Sequence, residues 1–369
     1  MSLFSTWLAP PVLGIDWSGE AVYAVSVQGS AAHPQVVWAE AYPLQAGAAP
    51  LPLENRSEAV MTDTLRALLR HRRIRIRQAA TAMPSSAVIV KIVEIPQSVQ
   101  GDAVEEHIRF SGTEFISQNI DSVQFDYMDL GPAQRPKYQR LLLAVCRKEE
   151  ADKRLAILES CGLKVPLIDI RQFALWSIAE RAEQQAVSSA APVDIPAHQN
   201  SGAEPVSMLI EIGYHTTSLY AFHGNSPYFA REHRFGFIML IAALQRQYNL
   251  TENDAWNLYR HGGLPPDYPQ KVLTPVLQSL STEIVHALEY FQASLPDLVI
   301  RQVHCFGFFI GSPGWLDLLG QRLHVPVDAP DPFAHMGLPA RYQALSLEER
   351  SRMAVACGLA LRRFSNDYA

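Results

Sequence analysis

Asp16 and Glu211 are the residues whose type and setting most suggest chemistry. Asp16 closes the apolar run Val12-Leu13-Gly14-Ile15, is followed by Trp17-Ser18-Gly19, and the chain returns through the alternating Ala21 to Val27. Glu211 closes Met208-Leu209-Ile210, is followed by Ile212-Gly213-Tyr214-His215-Thr216-Thr217-Ser218, and the chain returns through Leu219 to Phe222. Each reads as a strand, a tight turn and an antiparallel return. Two such hairpins facing one cleft would aim two carboxylates and two rows of backbone N–H groups at one point, which suits a polyphosphate and its metal. As purely structural units they would equally serve as β-turns with threonines in strand positions.

Other chemistries find less support. His215 beside Thr216 and His304 beside Cys305 lack a recognisable motif that supplies an orienting carboxylate, so both histidines read as packed or surface residues. Cys146, Cys161, Cys305 and Cys357 lie far apart with no CxxC spacing, which argues against zinc and for a reducing, cytoplasmic setting. The net charge of −6 without a basic block excludes non-specific nucleic-acid binding. Six arginines between Arg66 and Arg77 read as a solvated helix end. No apolar run approaches the ~18–20 residues that span a bilayer, and the first residues do not resemble a signal peptide. Leu3, Phe4, Trp7 and Leu8 are expected to pack on the body, since one helical turn buries too little to anchor a chain to a membrane.

The 369 residues, 48% hydrophobic and 18% charged, are enough for two or three domains at roughly 100–200 residues each. Strands are predicted over 12–27 and 35–42, a helix over 57–71 and a strand over 75–82. A βαββα insert follows: strand 88–95, helix 102–115, strands 123–130 and 138–146, and helix 148–161 closed by Gly162. Strand 165–170 and helix 171–181 return to the first unit. Residues 184–204, rich in Ala, Ser, Pro and Gln, read as a linker. The second hairpin is followed by helices 238–248, 251–261 and 271–291, strand 299–308, helix 315–323, strand 325–327 and helix 352–363.

This plan, an α/β duplication split by inserted subdomains, resembles the actin, Hsp70 and sugar-kinase fold. Longer strings narrow the match to the type IV pilus assembly PilM family, relatives of the cell-division protein FtsA. They are Val12-Leu13-Gly14-Ile15-Asp16, Ala144-Val145-Cys146-Arg147-Lys148-Glu149 with Glu159-Ser160-Cys161-Gly162-Leu163, Pro326 to Met336, and Ala354 to Arg362. The resemblance implies two actin-like units, 1–84 with 166–183 and 205–237 with 299–369. It adds an FtsA-type insert at 85–165 and a helical subdomain at 238–298.

In that superfamily the two hairpins, a Gly-Gly turn and an adenosine turn hold nucleotide. The resemblance therefore assigns Asp16, Trp17, Ser18, Gly19, Glu211, Gly213, Thr216, Thr217, Gly236, Gly307, Pro313 and Gly314 to ATP and Mg²⁺, with Asp16 and Glu211 as carboxylates for metal or water. This sequence departs from the pattern. Bulky Trp17 precedes Ser18, Glu211 stands where the family has Asp, and Phe237 and Phe308 replace glycines that let backbone approach a ligand. The added methylene of Glu211 displaces its carboxylate, which octahedral Mg²⁺ tolerates poorly. A degenerate site with weak or absent nucleotide binding is expected; the alternative is that the aromatics turn aside or stack on adenine.

By the same resemblance the protein is a scaffold at the cytoplasmic face of the inner membrane, peripheral to the membrane through its partners. It would bind the amino-terminal peptide of a PilN-like protein and link it to motor ATPases. An extended peptide held at the insert would use main-chain hydrogen bonds and apolar pockets, with Val88, Val90, Ile92, Val145 and Arg147 as contacts. Two other functions stay open: an ATP-driven actin-like protein, and a component like the type II secretion protein GspL. The latter continues into a membrane span that this chain does not show.

Overall fold

The computed structural model describes residues 11–44, 49–52, 56–110, 115–116, 119–189 and 204–364. The expectations for Leu3, Phe4, Trp7 and Leu8, and for most of the Ala/Ser/Pro-rich segment, lie outside the described residues.

The period-2 alternation near the amino terminus forms β1 (Val12–Trp17) and β2 (Ala21–Gly29), antiparallel with Asp16 opposite Tyr23. β3 (Pro34–Pro43) pairs with β2, while β4 (Gln78–Met83) and β8 (Lys164–Ile170) extend the sheet parallel to β1, in the order β3-β2-β1-β4-β8. The second half repeats this order with β9 (Glu204–Ile212), β10 (Thr217–His223), β11 (Ser226–His233), β12 (Leu298–Gly307) and β13 (Val327–Asp328), arranged β11-β10-β9-β12-β13. Strand directions repeat as well, so β1 and β9 are equivalent strands.

The outer face of the first sheet is covered by α1 (Glu58–His71), capped by the Ser57 side chain, and α3 (Lys148–Ser160). Leu65, Leu68, Ile157 and Leu158 meet Leu13, Ile15 and Trp17 there. The insert between these helices is an antiparallel sheet, β5-β7-β6, made of β5 (Val88–Pro96), β6 (Val123–Pro132) and β7 (Tyr138–Arg147). One face is covered by α2 (Asp102–Phe110), whose Val104 and Ile108 lie over Val93, Ile95, Leu141, Leu143 and Val145. The outer face of the second sheet carries α5 (Ile238–Tyr248), α6 (Glu252–His261), α7 (Thr274–Ser294) and α8 (Trp315–Leu323).

Two helices fill the space between the sheets: α4 (Arg171–Ser189) and α10 (Ala354–Leu361), the latter following the short α9 (Leu347–Ser351). Their core joins Val12, Val25 and Ala80 of the first sheet to Leu209, Tyr220, Phe222 and Phe306 of the second. All eight α10 residues are buried, as a helix apolar on every side requires. A Cβ on Gly14 would lie 2.0 Å from the Ala356 carbonyl oxygen, so the glycine of Leu13-Gly14-Ile15-Asp16 lets α10 seat directly on β1. This corrects the assignment of 299–369 wholly to the second unit, because α10 packs mainly on the first sheet and α4. α4 also continues to Ser189, six residues into the stretch read as linker.

α4 is fastened to the second sheet near its far end. Glu183 accepts hydrogen bonds from the Ser207 hydroxyl at 2.6 Å and from His304 Nε2 at 3.0 Å, and pairs with Arg301. His304, fully buried, also contacts Asp328 through Nδ1 at 2.6 Å. Burial opposes its charge, but the hydrogen bonds and charges of Asp328 and Glu183 prevail and raise the imidazole to about 9. Both ring nitrogens thus face carboxylates, and Cys305 next to it is buried with its thiol pushed up, so the pair is a fastening and not a nucleophile. Among the described residues no helix is long and apolar enough to cross a membrane.

Because folding raises the His304 value above about 6.5, its contribution is complete below that pH and is lost as pH climbs through about 9. Urea unfolding should lose roughly 2 kcal/mol between pH 6.5 and 8.5. A His304→Gln variant should show a flat profile over that window; an unchanged slope would place the titrating group elsewhere.

Candidate functional site

β1 and β9 end at the same cleft, and a cation stands between their carboxylates. Arg171, the first residue of α4, donates from Nη1 to Asp16 Oδ1 at 2.5 Å. Its Nε lies 2.9 and 3.0 Å from the two Glu211 oxygens, and its Nη2 also donates to Glu211. Asp16 is 2% exposed and Glu211 and Arg171 are largely buried. Burial, above all, lifts the Asp16 carboxyl to about 6 and Glu211 adds to it, against the pull of Arg171 and Arg154. For Arg171 burial opposes the charge, yet Asp16 and Glu211 outweigh it and hold the guanidinium above its ordinary value. A planar guanidinium presents fixed, directional donors to both carboxylates, a preorganised fork that a lysine ammonium lacks. The expected convergence of Asp16 and Glu211 is therefore found, with Arg171 as the residue that the sequence reading missed.

The turn groups expected at phosphates are engaged internally. In the first hairpin the Ser18 N–H donates to Ala21 O at 3.0 Å and the Ala21 N–H to Ser18 Oγ at 3.2 Å. Gly19 O accepts from Arg56 at 3.2 Å. In the second, the Gly213 N–H donates to Thr216 O at 2.8 Å, and Thr217 Oγ1 to Phe235 O at 2.8 Å. Two N–H groups at the start of α5, on Phe237 and Ile238, donate to Gly213 O at 3.0 Å and Tyr214 O at 2.7 Å. A helix N-terminus that could meet an anion meets carbonyls instead. Residues 49–52 cross between the hairpin tips. Pro50 O lies 3.2 Å from His215 Nε2, and the Ala49 N–H donates to Asn253 at 2.8 Å.

The aromatic replacements turn inward. Phe237 and Phe308 are 0% and 1% exposed and stack at 4.3 Å between centroids. Tyr259 meets Phe237 edge-on at 4.7 Å, and the Tyr214 ring meets Trp256 at 5.2 Å. Gly307, at φ +93°, is needed for backbone packing: its Cβ would lie 2.1 Å from Ile212 O. Gly236 is similar, with Gly213 O at 2.6 Å from its Cβ. Pro313 and Gly314 are exposed at the entrance to α8, and Trp17 is buried beneath Arg154. What remains open is a cleft of about 780 Å³ bounded by Glu20, Tyr23, Trp256, Tyr259, Glu348 and Arg352. Tyr23 donates to Glu20 at 2.9 Å and Tyr259 to Glu348 at 3.1 Å across its walls. Among the described residues no group of three or more His, Cys, Asp or Glu side chains could hold a metal.

The expected partner residues divide between two faces of the insert. Val88, Val90 and Ile92 share one face of β5 and are half-buried. Val145 is corrected: it is 2% exposed and packed beneath α2, because it pairs with Ile89 on the opposite face. Arg147 is exposed where β7 passes into α3.

Two equivalent five-stranded sheets around a central helical layer, with a cleft at the ends of β1 and β9, define an actin-like protein. The similar solved structures agree on the fold. The chain belongs to the type IV pilus assembly protein PilM family, whose pattern matches residues 14–364. A PilM-PilN type IV pilus biogenesis complex is similar at TM-score 0.72 and 23% identity, covering 96% of this chain and 98% of that chain. Ethanolamine utilization protein EutJ from Carboxydothermus hydrogenoformans is similar at 0.53 and 12%, covering 95% and 89%. MreB5 of Spiroplasma citri bound to ADP is similar at 0.50 and 10%, covering 96% of each chain.

Replacing Arg171 by Ala should lower the unfolding free energy by about 3–5 kcal/mol, since two buried carboxylates lose their counter-ion. Arg171→Met combined with Asp16→Asn and Glu211→Gln should recover most of that loss in urea titrations. Equal losses in both variants would assign the role to packing.

Proposed function

We propose that this protein is a scaffold of type IV pilus assembly whose actin-like cleft is held by Arg171 in place of a metal-nucleotide complex. The observation that carries this reading is the Asp16-Arg171-Glu211 bridge. It supports a degenerate nucleotide site, because the carboxylates that would serve Mg²⁺ already share a fixed cation. The internally bonded turn groups and the stacked Phe237 and Phe308 support it too. As arranged, this donor set does not fit a magnesium ion, which demands near-octahedral oxygen ligation. With no reaction left for the cleft, the body serves to hold partners.

The partner is the amino-terminal peptide of a PilN-like inner-membrane protein, a reading supported by family membership and by the similar solved structure, which is a PilM-PilN complex. On this reading the protein sits at the cytoplasmic face of the membrane through that peptide and links it to the motor ATPases. The platform is the insert, on the β5 face that presents Val88, Val90 and Ile92, with Arg147 at its border. Ile92→Glu or Val90→Lys should weaken binding of a synthetic PilN-type peptide at least tenfold in fluorescence anisotropy while the circular dichroism spectrum stays unchanged. Unaltered affinity in both would move the peptide elsewhere.

A second reading keeps nucleotide in the 780 Å³ cleft beside Trp256 and Tyr259, which would supply aromatic faces for a base. Isothermal titration with MgATP separates the two. The scaffold reading expects no saturable heat below millimolar ligand, and sub-millimolar affinity would overturn the degenerate site.

A further inference from the structure

The stretch that follows α1 carries more positive charge than its structural duties use. From residue 70 to 77 every exposed side chain is basic: Arg70, His71, Arg72, Arg73, Arg75 and Arg77. The expectation of a solvated helix end covers only part of them, because α1 stops at His71. Cations in a last helical turn complement the helix dipole, which accounts for Arg70 and His71. Ion pairing accounts for two other arginines, Arg66 with Asp63 at 3.2 Å and Arg72 with Glu40 at 2.9 Å. Arg70, Arg73, Arg75 and Arg77 form no ion pair among the described residues. No Asp or Glu stands in the chain between Asp63 and Glu94.

The backbone fixes where these side chains point. Arg73 ends the helix in the left-handed region, at φ +52°, with its N–H on Arg70 O at 3.1 Å. That position ordinarily falls to glycine, which adopts it without strain. The chain then runs extended into β4, with Ile74 buried and Ile76 packed on the outer core of the first sheet. Alternation turns Arg75 and Arg77 outward, about 7 Å apart. Arg77 O accepts the Lys164 N–H at 2.7 Å, which sets exposed Lys164 at the start of β8 beside the run. The basic ridge therefore lies where β4 and β8 begin. Both strands share the direction of β1, whose far end carries Asp16, so the ridge and the cleft are at opposite ends of the sheet.

We propose that this ridge, Arg70, Arg73, Arg75 and Arg77 with Lys164 beside them, docks the protein on an anionic lipid surface. Protein interfaces are anchored by buried aromatic or aliphatic side chains, and the exposed positions of the run offer none. Nucleic-acid readers add a groove-entering helix or stacking aromatics to their charge, and the run has neither. Guanidinium groups stay charged and can take two phosphate oxygens at once, which suits a plane of lipid phosphates. In a chain of net charge −6, such a concentration of unpaired positive charge turns one end of the first sheet toward a negative surface and leaves the cleft facing away. Basic side chains alone give reversible attachment, and lasting attachment takes a second contact. The ridge thus orients a body that a membrane partner retains. The proposal goes beyond the scaffold reading and does not depend on where the peptide binds.

Co-sedimentation of the full chain with vesicles tests it, with no partner present. Vesicles of phosphatidylglycerol and phosphatidylcholine should carry the protein down at low salt, and vesicles of phosphatidylcholine alone should not. Binding should weaken as ionic strength passes about 0.1 M, where charges are screened beyond about 10 Å. Changing Arg70, Arg73, Arg75 and Arg77 together to Gln should lower the partition coefficient roughly a hundredfold or more, because each basic side chain near such a surface contributes about fivefold. Taking the same charge from Arg109, Arg246, Lys271 and Arg322, which are exposed on other elements, should cost far less. If the fourfold variant does not fold, Arg75→Gln with Arg77→Gln replaces it, with an expected loss of about twenty-fivefold. No binding to the anionic vesicles, an unaltered partition in the ridge variant, or equal losses in the two sets overturns the proposal. Short duplex DNA that binds as tightly as the vesicles at equal phosphate concentration overturns it too, by making the ridge a nucleic-acid site. Because the vesicles hold no peptide, failure here leaves the partner reading standing, and failure of the peptide titration leaves this result intact.

Discussion

The structure depends on a single buried cation held by two halves of a duplicated chain. Asp16 and Glu211 lie at the ends of equivalent strands, so any fold that pairs the halves face to face brings two carboxylates into one poorly hydrated space. Their repulsion must be met by a positive charge. Arg171 supplies it from the first position of α4, immediately beyond the end of β8, where parallel strands of the first sheet deliver their C-terminal residues to the cleft. A bridging guanidinium makes this charge balance part of the covalent chain, so it needs no diffusible ligand.

α4 carries the consequence of that choice. Its first residue is fixed to Glu211, and Glu183, twelve residues on, is fixed to Ser207 and His304. Between them Trp176 stacks on Phe222 of the second sheet at 4.8 Å, and Ala174 and Ala179 lie in the shared core. A helix held at both ends and along its length has little freedom to hinge, and α10 lies against it at glycine distance: a Cβ on Gly358 would fall 2.0 Å from Ala174 O. Opening the cleft would require breaking charged contacts at both ends and exposing the apolar middle, which combines the costs of a lost buried ion pair and of lost burial.

Much of the fold was legible because it is written in local periodicity. The two hairpins, the βαββα insert and the helices over 238–248, 252–261 and 315–323 follow from alternation and helical spacing, with caps at Ser57 and Thr251. The cleft chemistry was legible only in part. Asp16 and Glu211 were found because each ends a strand before a turn. Arg171 was not, because it is 155 residues from Asp16 and joins it only once β8 is known to lie beside β4 and β4 beside β1. Val145 was misplaced for a related reason: alternation says that neighbours on a strand face opposite ways, but not which face α2 will cover. The placement of the terminal helix α10 with the second unit failed because an entirely apolar helix has no preferred face in its sequence.

The glycines of the phosphate and adenosine turns show how packing by itself can require such motif residues. Gly236 and Gly307 sit where a side chain would strike the backbone of the second hairpin, at Gly213 O and Ile212 O respectively, whether or not a nucleotide is near. The first lets α5 begin against that hairpin; the second lets β12 leave the sheet beside Ile212, where the Phe308 N–H then donates to Ile212 O at 2.9 Å. Packing alone therefore demands glycine at both positions, and their presence carries no information about a ligand. The informative positions are the adjacent ones, where the backbone tolerates a side chain and a ligand would not. Phe237 and Phe308 stand there with their rings stacked, so the space that a small residue would leave open is filled by the protein's own core.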